Sequence, residues 1–342
     1  MPNILDVPDL PEGVKSMYIK EQKYFDGISF PLILSPSDTF RDKEPLFWND
    51  WVKENINTIE NLLLKYGAIL FRGFPFDTPK EFDDFSKAYD YNPFHNFYGL
   101  GMRRNVVGNV YTTSELPPGG KFPMHHEMAH VRDYPDIVFF YCDLPAKEGG
   151  NTPLAPSHII YRKMAEREPE YVNRLEREGQ RYFRIAPDGD DLSTAYGRGW
   201  QSTFCASNKE EAERKAKAFG YDFEWQKDGS FKTTTEILPA IRVDKRTGKK
   251  MWFNNIFPYA VVTQEQHRKS TVGVTFPNGD AISDETLEVF KQVVDEVKVS
   301  FNWQHTDVVL IDNRIVQHAR EDFCIPPRRI MVSLFNDHQG PI

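Results

Sequence analysis

Cysteine is scarce. The 342 residues hold three, Cys142, Cys205 and Cys324, with no C-x-x-C spacing among them. Any single disulfide would leave a thiol over, so a disulfide framework is not expected and reduced, structural thiols are. Positive charge is also short. The formal net charge of -8 leaves no basic surface broad enough to track a phosphate backbone, and nucleic acid is not an expected partner. Long apolar runs are missing too. No stretch approaches the length of a membrane span, and Met1-Pro2-Asn3-Ile4-Leu5-Asp6-Val7-Pro8 lacks a charged segment followed by an apolar one. These absences point away from membranes and secretion and towards a cytoplasmic enzyme with a small-molecule substrate; they leave the oligomeric state open.

Aromatic residues, by contrast, are plentiful, with 26 Phe, 15 Tyr and 6 Trp, which suits a β-rich core around an apolar pocket. Helical spacing of Trp51, Ile56, Ile59, Leu62 and Leu63 predicts a helix from Leu46 to Tyr66, stopped by Gly67. A buried strand follows from Gly67 to Phe74, and a short amphipathic helix from Pro79 to Tyr89. Ser157 is placed to cap a helix running from His158 to about Gly179, and Lys209 to Phe219 reads as a charged helix. Asp228-Gly229 marks a hairpin, and Lys245 to Lys250 looks like the solvated tip of another. Ser283 opens a helix with Leu287, Phe290, Val294 and Val297 on one face. Strands are predicted at Asp136 to Cys142, Asp307 to Ile311, Arg314 to Ala319 and Arg329 to Phe335. With no internal repeat and no linker, the expectation is one domain over 1–342, mainly β with added helices.

The segment Pro123-Met124-His125-His126-Glu127-Met128-Ala129-His130 fits two metal-site grammars. As a helix, His126-Glu127-Met128-Ala129-His130 is H-E-x-x-H, in which two histidines bind zinc and the glutamate activates water for hydrolysis. As extended chain, His125 and Glu127 point the same way and supply a histidine and a carboxylate to one ion. Pro117, Pro118, Gly119, Gly120, Pro123 and Pro135 crowd the segment and favour extended chain, since the residue before a proline is pushed out of the helical region. His126 and His130 would then face away from His125.

An extended H-x-E needs one more histidine. His318, on a predicted strand just after Asp312-Asn313, is the best placed. Two histidines and a carboxylate make the facial triad of non-haem ferrous sites, leaving three positions that suit a bidentate 2-oxo acid and dioxygen. The distal carboxylate of a 2-oxo diacid calls for a guanidinium. Arg329 is the candidate, because alternation sets Arg329, Met331 and Ser333 on one face and Ile330, Val332 and Leu334 on the other.

Four elements in order resemble the taurine dioxygenase and clavaminate synthase-like family of iron(II), 2-oxoglutarate-dependent oxygenases. His125-His126-Glu127-Met128-Ala129 is similar to the H-x-E-M-A form of the clavaminate synthase side, and Gly149-Gly150-Asn151-Thr152-Pro153 to the family's G-G-x-T-P. Asp312-Asn313-Arg314 through His318 is similar to D-N-R-x-x-x-H, and Arg328-Arg329-Ile330-Met331 to R-R-I-M. The resemblance implies a double-stranded β-helix (jelly roll) core over about 67–157 and 301–337, with a helical and hairpin insert over about 158–300. It implies Fe(II) on His125, Glu127 and His318, 2-oxoglutarate held by Thr152 and Arg329, and dioxygen as the third reactant. The implied reaction couples decarboxylation of 2-oxoglutarate to succinate and CO2 with hydroxylation, or a related oxidation, of a small organic molecule. Where taurine dioxygenases carry a second arginine for the sulfonate, this chain has Ser333, which argues against an alkylsulfonate substrate. Asn254 and Asn255 are similar to a family element near the active site, and Arg103, Arg104 and Lys121 are candidate contacts for an anionic substrate. Two rivals remain: the zinc hydrolase, and a β-helix protein that binds a ligand without turnover.

Overall fold

Alternation along the central strands sorts the core into two layers. In the computed structural model of the chain, which describes residues 10–95, 103–113, 121–191, 197–265, 271–323 and 327–338, the largest sheet has nine strands. Its order is Val14–Ser16, Leu32–Pro36, Ala68–Phe71, Val308–Asp312, Ile137–Leu144, Arg329–Asn336, Val110–Thr112 and Asn105–Val107, with Asn92–Pro93 added on Arg329–Asn336. Leu32–Pro36 and Ala68–Phe71 run parallel, and the strands through the middle of the sheet are antiparallel. Phe71, Phe139, Tyr141, Leu310, Met331 and Phe335 face one side, where they meet Trp48 and Ile59 of the helix Pro45–Tyr66 and Phe82 and Phe85 of the helix Pro79–Lys87. Their chain neighbours Leu70, Phe140, Val309, Ile311, Ile330 and Val332 face the other side. There they pack on Leu154 and Val316 of a small three-stranded sheet, Leu154–Pro156, Val316–Arg320 and Phe122–His125. The architecture is mainly β with helices, and the small sheet carries the two site histidines.

The helix Pro45–Tyr66 ends as expected at Gly67, whose N–H returns to the Leu63 carbonyl at 2.7 Å with φ of 75°. A Cβ there would lie 2.6 Å from a Val316 methyl, so both the left-handed backbone and the close approach to the small sheet require glycine. The helix expected from His158 to Gly179 is two helices, Ser157–Arg167 and Pro169–Glu178, because Pro169 cannot continue the hydrogen-bond ladder. Ser157 does not cap the first of them: it lies inside the helix, with its hydroxyl turned to His126. Ser283 does cap the helix Asp284–Val297, accepting from the Thr286 N–H.

The Asp228-Gly229 hairpin joins Asp222–Trp225 to Phe231–Thr234 in a four-stranded sheet completed by Arg181–Ala186 and Val272–Thr275. The sequence reading anticipated neither Arg181–Ala186 nor the helix Ile256–Glu265. At the other hairpin the tip is less solvated than expected, since Arg246 ion-pairs with Asp244 and with Asp312 at 2.6 Å. Met1–Pro8, Pro117–Gly120 and Cys324 lie outside the described residues. Among the described residues no helix is long and apolar enough to cross a membrane.

One buried ion pair ties the sheet together. Arg72, just past Ala68–Phe71, donates to both carboxylate oxygens of Asp307 at 3.0 and 2.7 Å and to the Asn302 carbonyl at 2.9 Å. Asp307→Ala strands a buried guanidinium and is expected to destabilise the fold by about 3–5 kcal/mol, measured by urea unfolding.

Candidate metal centre and its cavity

Strand register assembles the centre. In the small sheet His125 and His318 are direct cross-strand partners, and their rings lie 4.3 Å apart. The strand Phe122–His125 then gives way to a turn in which Met128 takes a φ of +58°. Glu127 sits in that turn, with its Oε2 3.7 Å from His318 Nε2. One donor atom from each of His125, Glu127 and His318 lies within 4.8 Å of the other two, the one such metal-competent group among the described residues.

Asn313 sets the turn. Its Oδ1 accepts from the Glu127 N–H at 2.7 Å, and its Nδ2 donates to the Glu127 carbonyl at 3.0 Å and the Pro135 carbonyl at 2.7 Å. Asp312 and Arg314 on either side are bonded to each other, and Arg314 also pairs with Asp337. The Asp312-Asn313-Arg314 string is thus a scaffold: the outer two residues fix the turn before the His318 strand, and the middle one clamps Glu127. Asn313→Ala leaves three buried backbone groups without partners, with an expected cost on the order of 3 kcal/mol in denaturant unfolding. Metal affinity in a chelator competition is expected to fall about 10–100-fold, the range for partners that orient ligands.

The helical H-E-x-x-H reading does not match this geometry. His126 points away from the cluster, its Nδ1 meeting the Asn313 carbonyl and its Nε2 the Ser157 hydroxyl, and burial lowers it to about 3. His130 accepts at Nδ1 from the Asn255 amide at 3.0 Å. Neither reaches the group formed by His125, Glu127 and His318.

Protonation suits a cation. Burial, and then the neighbouring His318, keeps His125 well below the usual imidazole range, so it is neutral. His125 Nδ1 is 2.8 Å from the Pro123 carbonyl, to which it can only donate, leaving Nε2 with its lone pair. Burial pushes the Glu127 carboxyl up, but the Arg103 guanidinium, at 2.9 Å, and the two histidines outweigh it and hold the group below the ordinary carboxylate range. Neutral imidazole beside carboxylate is the deprotonated set that a divalent ion requires.

The centre opens into a cavity of about 90 Å³. His125, Glu127 and His318 share its lining with Arg103, Thr152, Asn255, Arg320 and Arg328. Arg104 and Lys121 are not in the lining, and Asn254 is structural, its Nδ2 donating to the Ala240 carbonyl and its Oδ1 accepting from the Ile256 N–H.

Residues 38–334 match the family described as Taurine catabolism dioxygenase TauD, TfdA family. The chain belongs to this family. It is 37% identical over 320 residues to a clavaminate synthase-like protein of Arabidopsis thaliana, covering 92% of this chain and 96% of that one. It is 27% identical over 276 residues to the dapdiamide synthesis protein DdaC of Enterobacter agglomerans, covering 78% and 81%. Among solved structures, AAD-2 in complex with Mn(II) and N-oxalylglycine shares the fold at a TM-score of 0.50 and 14% identity, over 92% of this chain and 96% of that one. A candidate alpha-ketoglutarate-dependent taurine dioxygenase from Burkholderia xenovorans does so at 0.51 and 17%, over 95% and 90%.

The two adjacent arginines of the last motif lie on different sides. Arg329 is not in the cavity: its side chain is 62% exposed and bonded to Asp143. The register of Ile137–Leu144 against Arg329–Asn336 shifts between Cys142 and Leu144, and the cavity face of the second strand is that of Ile330, Val332 and Leu334. Arg328 shares that parity and lines the cavity, donating from Nε to the Gly150 carbonyl at 2.7 Å. Burial, and then the positive charge of Arg320, lowers Arg328 to about 10. Ser333 pairs with Phe139 across the sheet and falls on the face packed against the helices, while Val332 faces the other side.

The Gly149-Gly150 pair explains how the loop reaches Arg328. Both residues have positive φ, and a Cβ on Gly149 would lie 2.4 Å from the Asp322 carbonyl oxygen. This close approach carries Thr152 to the cavity wall, where its hydroxyl accepts from Trp303 Nε1 at 3.2 Å. Arg103, whose pairing with Glu127 is central to the site, was legible only as one of several basic candidates.

Proposed function

We propose that the chain is an Fe(II)- and 2-oxoglutarate-dependent oxygenase built on a single double-stranded β-helix domain. The reading is carried by the cross-strand His125–His318 pair with Glu127 beside it, a two-nitrogen, one-oxygen set that leaves half of an octahedral ion open. When bound, ferrous iron with 2-oxoglutarate supplies the means to reduce dioxygen, giving succinate and CO2 and placing one oxygen atom on the substrate. His125, Glu127 and His318 hold the ion; Asn313 fixes the direction of Glu127; Arg103 keeps Glu127 ionised.

Arg328 and Thr152 hold the distal carboxylate of 2-oxoglutarate. Besides Arg103, which pairs with Glu127, the guanidiniums of Arg320 and Arg328 line the cavity with the Thr113 and Thr152 hydroxyls, and such a set favours a dicarboxylate over a neutral guest. Phe122, Phe140 and Ile330 keep the reacting centre from bulk water. The test is product stoichiometry: with ferrous iron, 2-oxoglutarate and oxygen, succinate should accumulate with 2-oxoglutarate loss, and omission of iron should stop both. Zinc-dependent hydrolysis indifferent to 2-oxoglutarate would overturn the reading.

A further inference from the structure

A second cavity, of about 40 Å³, adjoins the first, and His130 and Tyr259 belong to the walls of both. Their rings are 5.3 Å apart, and Tyr182 backs Tyr259 at 4.8 Å. The second cavity is lined largely by aromatic rings, Phe204, Phe219 and Tyr221 among them, yet it holds one cation, Arg184, from the strand Arg181–Ala186.

Arg184 is only 9% exposed. Its Nη2 donates to the Arg198 carbonyl at 2.6 Å, but its Nε is buried without a hydrogen-bond partner. Among the described residues no carboxylate is bonded to it: Asp190 raises its proton affinity only through space, and is itself engaged by the Gly199 N–H at 2.7 Å and the Ser202 hydroxyl. Burial dominates and lowers Arg184 to about 10. A guanidinium taken out of water without a bonded counter-ion is costly, and among the described residues a single hydrogen bond, to the Arg198 carbonyl, sets against that cost. The Thr203 hydroxyl, on the same wall, is also buried and unpartnered.

We propose that this second cavity binds the substrate's carboxylate, so that the oxygenase acts on a carboxylic acid whose apolar body passes the His130–Tyr259 pair to present a C–H bond in the metal cavity. One guanidinium edge and one hydroxyl match a planar monoanion, whereas a phosphate dianion would call for more donors. Arg184 is separate from Arg328, so substrate and cosubstrate carboxylates have different anchors. The proposal rests on the oxygenase reading for the reaction at the far end, and not for the binding itself.

The test is calorimetric titration of the full chain, without iron or 2-oxoglutarate, using 3-phenylpropionate and its uncharged amide as probes. The acid is expected to bind at least about tenfold more tightly than the amide, the worth of a charge-assisted hydrogen-bond pair. Arg184→Met should abolish that preference, Arg184→Lys should keep part of it, and Arg328→Met should leave it intact. Thr203→Val, a smaller change that guards against misfolding of the arginine variants, should weaken acid binding alone. Equal binding of acid and amide, no binding of either, or a preference lost in Arg328→Met and kept in Arg184→Met would overturn the proposal. Because iron is absent, loss of the ferrous site would not mimic any of these results.

Discussion

Alanine at His318 is expected to lower ferrous affinity by more than about 100-fold, beyond the range for outer partners of a metal site, and to remove iron-dependent succinate formation. His318 is half of a register pair, so no neighbouring side chain can replace it: its strand neighbours Gln317 and Ala319 differ in face or in chemistry, and His126 and His130 are tied elsewhere. His125→Ala should behave alike. His126→Ala should instead cost stability, by unmaking its bonds to the Asn313 carbonyl and the Ser157 hydroxyl, while the three donors stay in place. Equilibrium dialysis against ferrous iron under anaerobic conditions, with thermal unfolding alongside, separates the two behaviours. Iron binding lost in His126→Ala and kept in His318→Ala would restore the H-E-x-x-H reading.

The second large effect concerns adjacent arginines. Arg328→Ala is expected to raise the KM for 2-oxoglutarate by about ten- to a hundredfold, the worth of a charge-assisted pair with a carboxylate, with a smaller change in kcat. Arg329→Ala should change it by less than about twofold, because the Arg329 side chain is 62% exposed and pairs with the buried Asp143 carboxylate outside the cavity. The reverse ranking would return the carboxylate to Arg329 and would mean that the strand turns over at its start when the cosubstrate binds.

These two residues also show where sequence reasoning stopped. The proposed ligands His125, Glu127 and His318 were legible as residue types in context: His125 and Glu127 are two residues apart, and His318 lies on a strand just after a turn, although Glu127 sits in a turn and not in the extended chain expected. The choice between Arg328 and Arg329 depends on which side of the sheet is covered by helices, a non-local fact, and on a register shift at Asp143 that no periodicity displays. Strand alternation correctly paired Arg329 with Met331 and Ser333, but that face packs against the helix layer.

Arg184 was missed for a related reason. The strand Arg181–Ala186 was itself not anticipated, and the burial of Arg184 depends on Thr203, Phe204 and Tyr259 arriving from other elements. Ser157 likewise looked like a helix cap, and only the fold reveals His126 as its partner. The break at Pro169 was missed although the chain alone carries its signal, since the residue before a proline is pushed out of the helical region.

On the proposed reading His125, Glu127 and His318 hold one ferrous ion that 2-oxoglutarate chelates. Visible absorption, recorded anaerobically as ferrous iron and then 2-oxoglutarate are added to metal-free protein, tests it most directly. A weak charge-transfer band that needs both additions, is lost in His125→Ala and His318→Ala, and survives in His126→Ala is the predicted result. Absence of the band in iron-loaded wild type, together with tight zinc binding abolished by His126→Ala, would contradict it.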